Sequence, residues 1–312
     1  MEKQNMDVVY VLGNGSAWNN NELRFSLRSI SRNLGNVRNV VVVGERPEFL
    51  NDVVHIPAED IFNPVVNADG NIITKVLAAC NDERVSDDFL FINDDHLVIK
   101  PVDVQDVPAL HKGDMTTFSD KYWKLNYWRG RLKRTMEVLI SEGYPAMHYD
   151  CHTPILFNKN IFKEVVRRFD YAEGIGYTMK SLYGNLAYKD KGVELTAEKR
   201  TIFKHYTFEQ ICKRLEEPML MSFNDDGLNN SLKWWLIENF SGECKYEKDV
   251  AEDRIFDLFF WTKQGKNYED GVAFYEKWFN KQMNLVRLFK SGNSEYLRKK
   301  LDYKLMQLIN EL

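Results

Sequence analysis

Phe89-Leu90-Phe91-Ile92-Asn93-Asp94-Asp95-His96-Leu97 is the stretch on which the reading of this chain turns. Four large apolar residues run into a polar turn, and Leu97 to Ile99 then resumes extended character before Pro101. That is a buried strand ending in carboxylates. Upstream, Asp7 to Leu12 is a second apolar run, ended by Gly13-Asn14-Gly15-Ser16, a strand entering a loop. Leu23, Leu27, Ile30 and Leu34 then recur at spacings of four, three and four, one stripe of a helix with Gly35 as its expected C-cap. Asn39 to Val43 and Val53 to Ile56 read as strands. Ile72 to Cys80 reads as a helix with Ile73, Val76, Leu77 and Cys80 on one side.

Strand, helix, strand, strand, helix, strand is the pattern of a mostly parallel α/β sheet covered on both faces. Ligands of such sheets bind beyond the carboxyl ends of the strands. Gly13 to Ser16 and Asn93 to His96 both follow such an end. Downstream come an aromatic stretch (Tyr122, Trp123, Tyr127, Trp128) and helices at Arg129 to Ser141, Lys159 to Phe169 and Tyr177 to Leu186. Tyr149-Asp150-Cys151-His152-Thr153-Pro154 leads into a short strand, Ile155 to Phe157, and a later strand, Met219 to Phe223, runs into Asn224-Asp225-Asp226. Leu228 to Asn239 and Asp249 to Leu312 look mainly helical. With no internal repeat and no low-complexity linker, the expectation is one catalytic-type domain, 1–247, and a helical C-terminal appendage, 248–312.

Composition sets outer bounds. Of 312 residues, 44 % are hydrophobic and 28 % charged, which excludes a disordered or fibrous chain. No apolar run approaches the roughly 18 to 20 residues of a membrane helix. Met1-Glu2-Lys3-Gln4-Asn5 opens without the apolar region of a signal peptide, so a cytoplasmic protein is expected. A net charge of −4 gives no general attraction to nucleic acid. Lys277, Lys281, Arg287, Lys290, Arg298, Lys299 and Lys300 are either an acceptor-docking face for an anionic polymer or ordinary solvated surface. Cys80, Cys151, Cys212 and Cys244 are dispersed and read as reduced thiols.

Asp94 and Asp95 at a strand end suit a hard divalent cation, Mg²⁺ or Mn²⁺, held by one or two carboxylates together with substrate phosphates. Such an ion would neutralise a leaving diphosphate. A turn that merely ends the strand is the alternative, against which stands the cost of burying two like charges with no cation. Asp225, in a second turn of the same shape, either faces the same cleft or N-caps the helix near Leu228. His148 and His152 flank Asp150 and Cys151. Pro145 and Pro154 argue for extended chain here and against a zinc pair, which needs a helix. His152 then reads as a general base or phosphate donor, or as a satisfied structural histidine. Arg24 and Arg28 share one face near a helix N-terminus and suit a diphosphate, although with Glu22 they also fit a plain solvated face. Gly13 to Ser16 is no complete phosphate-binding glycine motif. No G-x-S-x-G, H-E-x-x-H or kinase motif is present, which leaves serine acyl transfer and zinc proteolysis without support.

Taken in order, the motifs resemble the Stealth family of capsular-polysaccharide phosphotransferases. Asp7 to Tyr10 with Asn14-Gly15-Ser16 resembles its opening; Asn21 to Ile30, Val37-Arg38-Asn39 and Phe89 to Asp95 resemble its long second region. His152-Thr153-Pro154 with Asn158-Lys159 is similar to the third. Phe223-Asn224-Asp225 with Phe240 and Lys245-Tyr246-Glu247 is similar to the fourth. The resemblance implies a GT-A-like nucleotide-sugar core and transfer of a hexose 1-phosphate to a hydroxyl, as in polysaccharide biosynthesis. It would put Asp94 and Asp95 at the nucleotide or metal and make His152 and Asp225 catalytic. Glu22, Arg24 and Arg28 would line the nucleotide-sugar cleft, with Asn14, Gly15, Ser16 and Asn93 beside them. Val11-Leu12-Gly13 departs from the family's Thr-Trp-Val. Where the family has a catalytic arginine between its third and fourth regions, the chain offers Arg167, Arg168 or, at the best-fitting place, Lys180, a point charge instead of a bidentate fork.

The expected function is therefore a metal-assisted, nucleotide-sugar-dependent transferase, with a UDP-sugar as donor and a hydroxyl of a glycan as acceptor. Attack at the anomeric carbon would release the nucleoside diphosphate; attack at the β-phosphorus would release the monophosphate. Two other classes stay open: a non-catalytic carbohydrate- or nucleotide-binding protein on a transferase scaffold, and a glycosyltransferase acting on modified nucleic acid.

Overall fold

The computed structural model describes residues 5–248 apart from 17, 124, 125, 190, 241 and 243. Beyond residue 248 the expected helical appendage, with the basic residues Lys277 to Lys300, lies outside the described residues. β1 (Met6–Leu12) leads through a loop to α1 (Asn21–Asn33), then β2 (Leu34–Gly35), β3 (Val37–Gly44) and β4 (Val54–Ile56). α2 (Ala68–Asn81) returns the chain to β5 (Asp88–Ile92), the acidic turn and β6 (His96–Val98). After β7 (Val102–Asp103), β8 (Leu110–His111) and the short α3 (Asp120–Trp123) come α4 (Tyr127–Ser141), β9 (Ile155–Asn158), α5 (Lys159–Arg168) and α6 (Met179–Ala187). β10 (Val193–Glu194), β11 (Lys199–Ile202), α7 (Phe208–Arg214), β12 (Leu220–Phe223) and α8 (Asn230–Asn239) follow.

The fold is α/β, with a mostly parallel sheet flanked by helices. Strand order is β4-β3-β1-β5-β9; the first four are parallel and β9 runs antiparallel to β5. Successive side chains of a strand point to opposite faces, and the valine-rich runs bury both. Val9, Val41, Phe89 and Phe91 pack on the side of α2, α4, α5 and α6. Val8, Tyr10, Val42 and Leu90 pack with Leu23, Leu27 and Ile30 of α1 on the other. A second, three-stranded sheet, β11-β12-β6, grows directly out of β5 through the acidic turn, with β12 antiparallel to β6. No helix among the described residues is long and apolar enough to cross a membrane.

Gly35 does not cap α1. The helix ends at Asn33, and Leu34 is already extended. Gly35 pairs with Asp103, where an added Cβ would meet the Asp103 carboxylate at 2.1 Å. The residue is thus selected for close approach and not for a left-handed turn.

At the amino end of the sheet Asp7 is fully buried and gathers Arg38 Nε and Nη2 at 2.8 and 2.6 Å, with the Ser86 and Asn39 N–H groups at 2.7 and 3.1 Å. Burial alone would raise its pKa; these hydrogen bonds and the guanidinium charge outweigh it and hold it below the ordinary 3.8. Asp7→Asn should cost about 2 kcal/mol of stability, the scale of hydrogen bonds to a charged group. Because the folded-state value is depressed, this contribution is present above 3.8 and lost as pH falls through the lowered value. Melting curves of wild type and variant should therefore differ at neutral pH and converge in acid below 3.8.

Candidate active site

β1 and β5 are neighbours in register, Tyr10 opposite Ile92, so the loops leaving their carboxyl ends emerge side by side. β12 brings in the third loop. Its Ser222 lies opposite His96, and the Phe223 N–H donates to the Asp95 carbonyl at 3.3 Å, which sets Asn224–Asp226 beside the acidic turn. Between the three loops lies a cleft of about 430 Å³. Asn14, Gly15, Ser16, Glu22, Asn93, Asp94, Asp95 and Asp225 all line it. Asn229, not Asp225, caps α8, its side chain accepting from the Leu232 N–H at 2.9 Å.

The cleft carries an excess of negative charge. Glu22 sits in the first turn of α1, where the Ser16 hydroxyl donates to its Oε1 while accepting the Trp18 and Asn20 N–H groups at 3.1 and 2.7 Å. Its Oε2 is buried with no hydrogen-bond partner. Burial first, then Asp95 and Asp225, raise the Glu22 pKa. Burial first, then Asp95 and Glu22, push Asp94 well above the carboxylate range. Lys75 is the cation among the lining residues, and it donates to the Leu12 carbonyl at 2.7 Å and to Asp60 at 2.5 Å. Sequence motifs did not single out Lys75, Asp60 or Asn71. The available signal was a lysine set among Ile72, Ile73 and Val76 on a buried helix face.

Asp95 anchors a compact cluster with His96 and His152, one ligand atom from each lying within 4.8 Å of the others. His152 Nε2 is 3.0 Å from Asp95 Oδ2, and His96 Nε2 is 3.7 Å from Asp95 Oδ1. The two rings meet edge to face at 4.6 Å. His96 is fully buried, and burial, followed by the positive fields of Lys180, His152 and Lys199, holds it well below the ordinary imidazole value and thus neutral. Both His96 Nε2 and Asp95 Oδ1 are buried without a hydrogen-bond partner. His96 Nδ1 takes only a long 3.4 Å contact from the Asn93 N–H, weak enough to give up when Nε2 must offer its lone pair. Two imidazoles and a carboxylate with orphaned acceptor atoms fit a borderline divalent cation. His152 adopts φ +59°, a left-handed conformation costing about 1–2 kcal/mol for a residue with a Cβ. Asp94 lines the cleft but stands outside the cluster.

Four other sequence candidates lie elsewhere. Arg28 donates through Nε and Nη2 to Glu247 at 2.7 and 3.0 Å, and Arg24 reaches the same carboxylate at 3.2 Å while stacking 3.7 Å over Phe49. Neither arginine lines the cleft. Lys180 is buried, with Nζ on the Thr153 carbonyl at 2.6 Å and 5.3 Å from the Phe91 ring centre. It does not line the cleft either. His148 meets the Tyr122 hydroxyl at 3.3 Å and takes no part in the cluster.

No family model and no curated protein matches the sequence. Solved structures with related architecture include the bifunctional glycosyltransferase WbbM in its apo form (14 % identity, TM-score 0.45, covering 82 % of this chain and 52 % of WbbM). An active-site mutant of LgtC gives 12 % identity and a TM-score of 0.46, covering 81 % of this chain and 100 % of LgtC. The glycosyltransferase GlyE of Streptococcus pneumoniae TIGR4 gives 8 % identity and a TM-score of 0.40, covering 77 % of this chain and 61 % of GlyE. The chain thus spans about half of WbbM.

Proposed function

We propose that this chain is a divalent-metal-dependent glycosyltransferase that moves a sugar from a nucleotide sugar, with UDP as the expected nucleotide, to a hydroxyl of a glycan acceptor. One observation carries the reading: an Asp95–His96–His152 cluster built on the buried His96, in which His96 Nε2 and Asp95 Oδ1 lack hydrogen-bond partners, beside a carboxylate-lined cleft at the carboxyl ends of β1 and β5. Asp95, His96 and His152 would hold the ion, which when bound offsets the charge of the donor's diphosphate. Nitrogen donors favour Mn²⁺ over Mg²⁺, which prefers all-oxygen shells. Mn²⁺ should therefore bind at least about 10-fold more tightly than Mg²⁺, checked by titration calorimetry and by electron paramagnetic resonance.

The remaining steps belong to side chains of the cleft. Asn14, Gly15 and Asn93 at the strand ends lie where the donor would be gripped. Asp94, kept towards its neutral form by burial, can donate a hydrogen bond to a sugar hydroxyl. Asp225 is exposed on the cleft wall and is the base we assign. The acceptor oxygen forms a bond to the anomeric carbon, Asp225 takes its proton, and the bond from that carbon to the diphosphate oxygen breaks. Attack at carbon is favoured over attack at phosphorus because Arg24, Arg28 and Lys180, the cations suited to clamping a transferring phosphoryl group, are bound to Glu247 and Thr153. Asp225→Asn should lower kcat by about 10²–10⁴-fold, the worth of a positioned base, while leaving UDP affinity in Mn²⁺ within a few-fold of wild type. A variant with unchanged kcat removes Asp225 from the mechanism.

A further inference from the structure

The left-handed backbone of His152 persists only if its surroundings impose it. Two buried lysine side chains grip the backbone on either side of it. Lys180, in the first turn of α6, donates from Nζ to the Thr153 carbonyl at 2.6 Å. Lys199, the first residue of β11, donates from Nζ to the Cys151 carbonyl at 2.8 Å and to the Thr201 hydroxyl at 2.5 Å. The carbonyls immediately before and after His152 are thus each held by a lysine, one from a helix flanking the main sheet and one from a strand of the second sheet.

Both lysines are nearly inaccessible, 6 % and 4 % exposed, and neither has a carboxylate within ion-pair distance among the described residues. Burying an ammonium against neutral acceptors alone is costly, and apolar side chains of similar volume would often be better tolerated in such a place. The arrangement makes sense through what lies between the two carbonyls: His152 Nε2, 3.0 Å from Asp95 Oδ2, with its ring edge to face with His96. A compact ammonium also suits a single carbonyl in a tight space better than a guanidinium fork, which matches two acceptors.

We infer that Lys180 and Lys199 are paired positioning residues: by holding the Thr153 and Cys151 carbonyls they fix His152 in the left-handed conformation that brings its imidazole to Asp95 and His96. The inference rests on the metal-holding role proposed for that cluster. It gives Lys180 a function through the backbone and brings in Lys199, which no motif singled out.

The test uses the full chain with Lys180→Met and Lys199→Met, singly and together, and reads Mn²⁺ affinity by electron paramagnetic resonance alongside the melting temperature. Each single variant should melt close to wild type yet bind Mn²⁺ about 10–100-fold more weakly, the usual effect of losing a group that orients a metal ligand. A role confined to stability would move melting and leave affinity alone. Wild type that binds no Mn²⁺ overturns the cluster reading, and this inference with it. Wild type that binds, with folded methionine variants that bind equally well, overturns this inference alone. If the methionine variants do not fold, Lys180→Gln and Lys199→Gln, which keep an N–H donor without the charge, are read in the same way. Failure of those to fold as well would assign both lysines to stability and overturn the inference.

Discussion

Asp95→Asn should lower transfer by about 10³-fold or more and remove Mn²⁺ binding, while the protein should melt no lower than wild type. Asp95 is the one carboxylate of the cluster, with Oδ2 3.0 Å from His152 and Oδ1 3.7 Å from His96. An amide there offers one neutral oxygen in place of two charged ones, and the cation loses its anionic ligand. Offsetting diphosphate charge is worth several kcal/mol of barrier, and each 1.36 kcal/mol is about tenfold in rate, which gives the thousandfold figure. Stability moves the other way. Asp95 adds to the repulsion that pushes Asp94 and Glu22 upward, so neutralising it relieves an acidic cluster. Such opposition between stability and activity is expected of a functional site. A variant that keeps a tenth of wild-type turnover would remove the cluster from the mechanism.

Glu247→Ala should cost about 3–5 kcal/mol, enough to lower the melting temperature by about 10 °C in a domain of this size. The Glu247 carboxylate is completely buried, and so nearly are its partners: the Arg24 and Arg28 side chains are 11 % and 7 % exposed. Removing the acid takes the shared anionic partner from two guanidiniums in the interior, leaving Arg28 with the Phe240 carbonyl at 3.2 Å, which is far worse than never having had the charges. The carboxylate also ties the end of the described chain to α1, whose first turn carries Glu22. Replacing all three residues at once, Arg24→Met, Arg28→Met and Glu247→Leu, should therefore recover most of the loss. A single Glu247→Ala variant melting within about 2 °C of wild type would show the charges to be better solvated than their burial suggests.

These two cases mark where sequence reasoning succeeds and where it stops. The strand-end loops were legible because a buried strand followed by Gly-Asn-Gly-Ser or Asn-Asp-Asp is a local pattern, and a parallel sheet then places such loops together. The cleft-lining positions of Asn14, Gly15, Ser16, Asn93, Asp94 and Asp95 follow from that, whereas Glu22 enters from the first turn of α1 and Asp225 from the second sheet. The shared helix face of Arg24 and Arg28 was equally legible, but their partner is 219 residues further on from Arg28, and a helical face does not say what meets it. His96 reads as the tail of a polar turn. Its place in the cluster depends on His152, which arrives from beyond β8, α3 and α4 in a backbone conformation with no sequence signature. The two-residue pairings of β2 with β7 and of β8 with β10 are too short to carry any periodicity. β11, Lys-Arg-Thr-Ile, has too little apolar character to announce a strand.

The most direct test of the central claim is product analysis by mass spectrometry. Purified protein would be incubated with UDP-, GDP- and CDP-sugars in Mn²⁺, in Mg²⁺ and in EDTA. Metal-dependent release of the nucleoside diphosphate, strongest with Mn²⁺ and absent in EDTA, is the predicted result. Release of the monophosphate would mean sugar-1-phosphate transfer and contradict attack at the anomeric carbon; equal release in EDTA would contradict the metal-holding role of Asp95, His96 and His152.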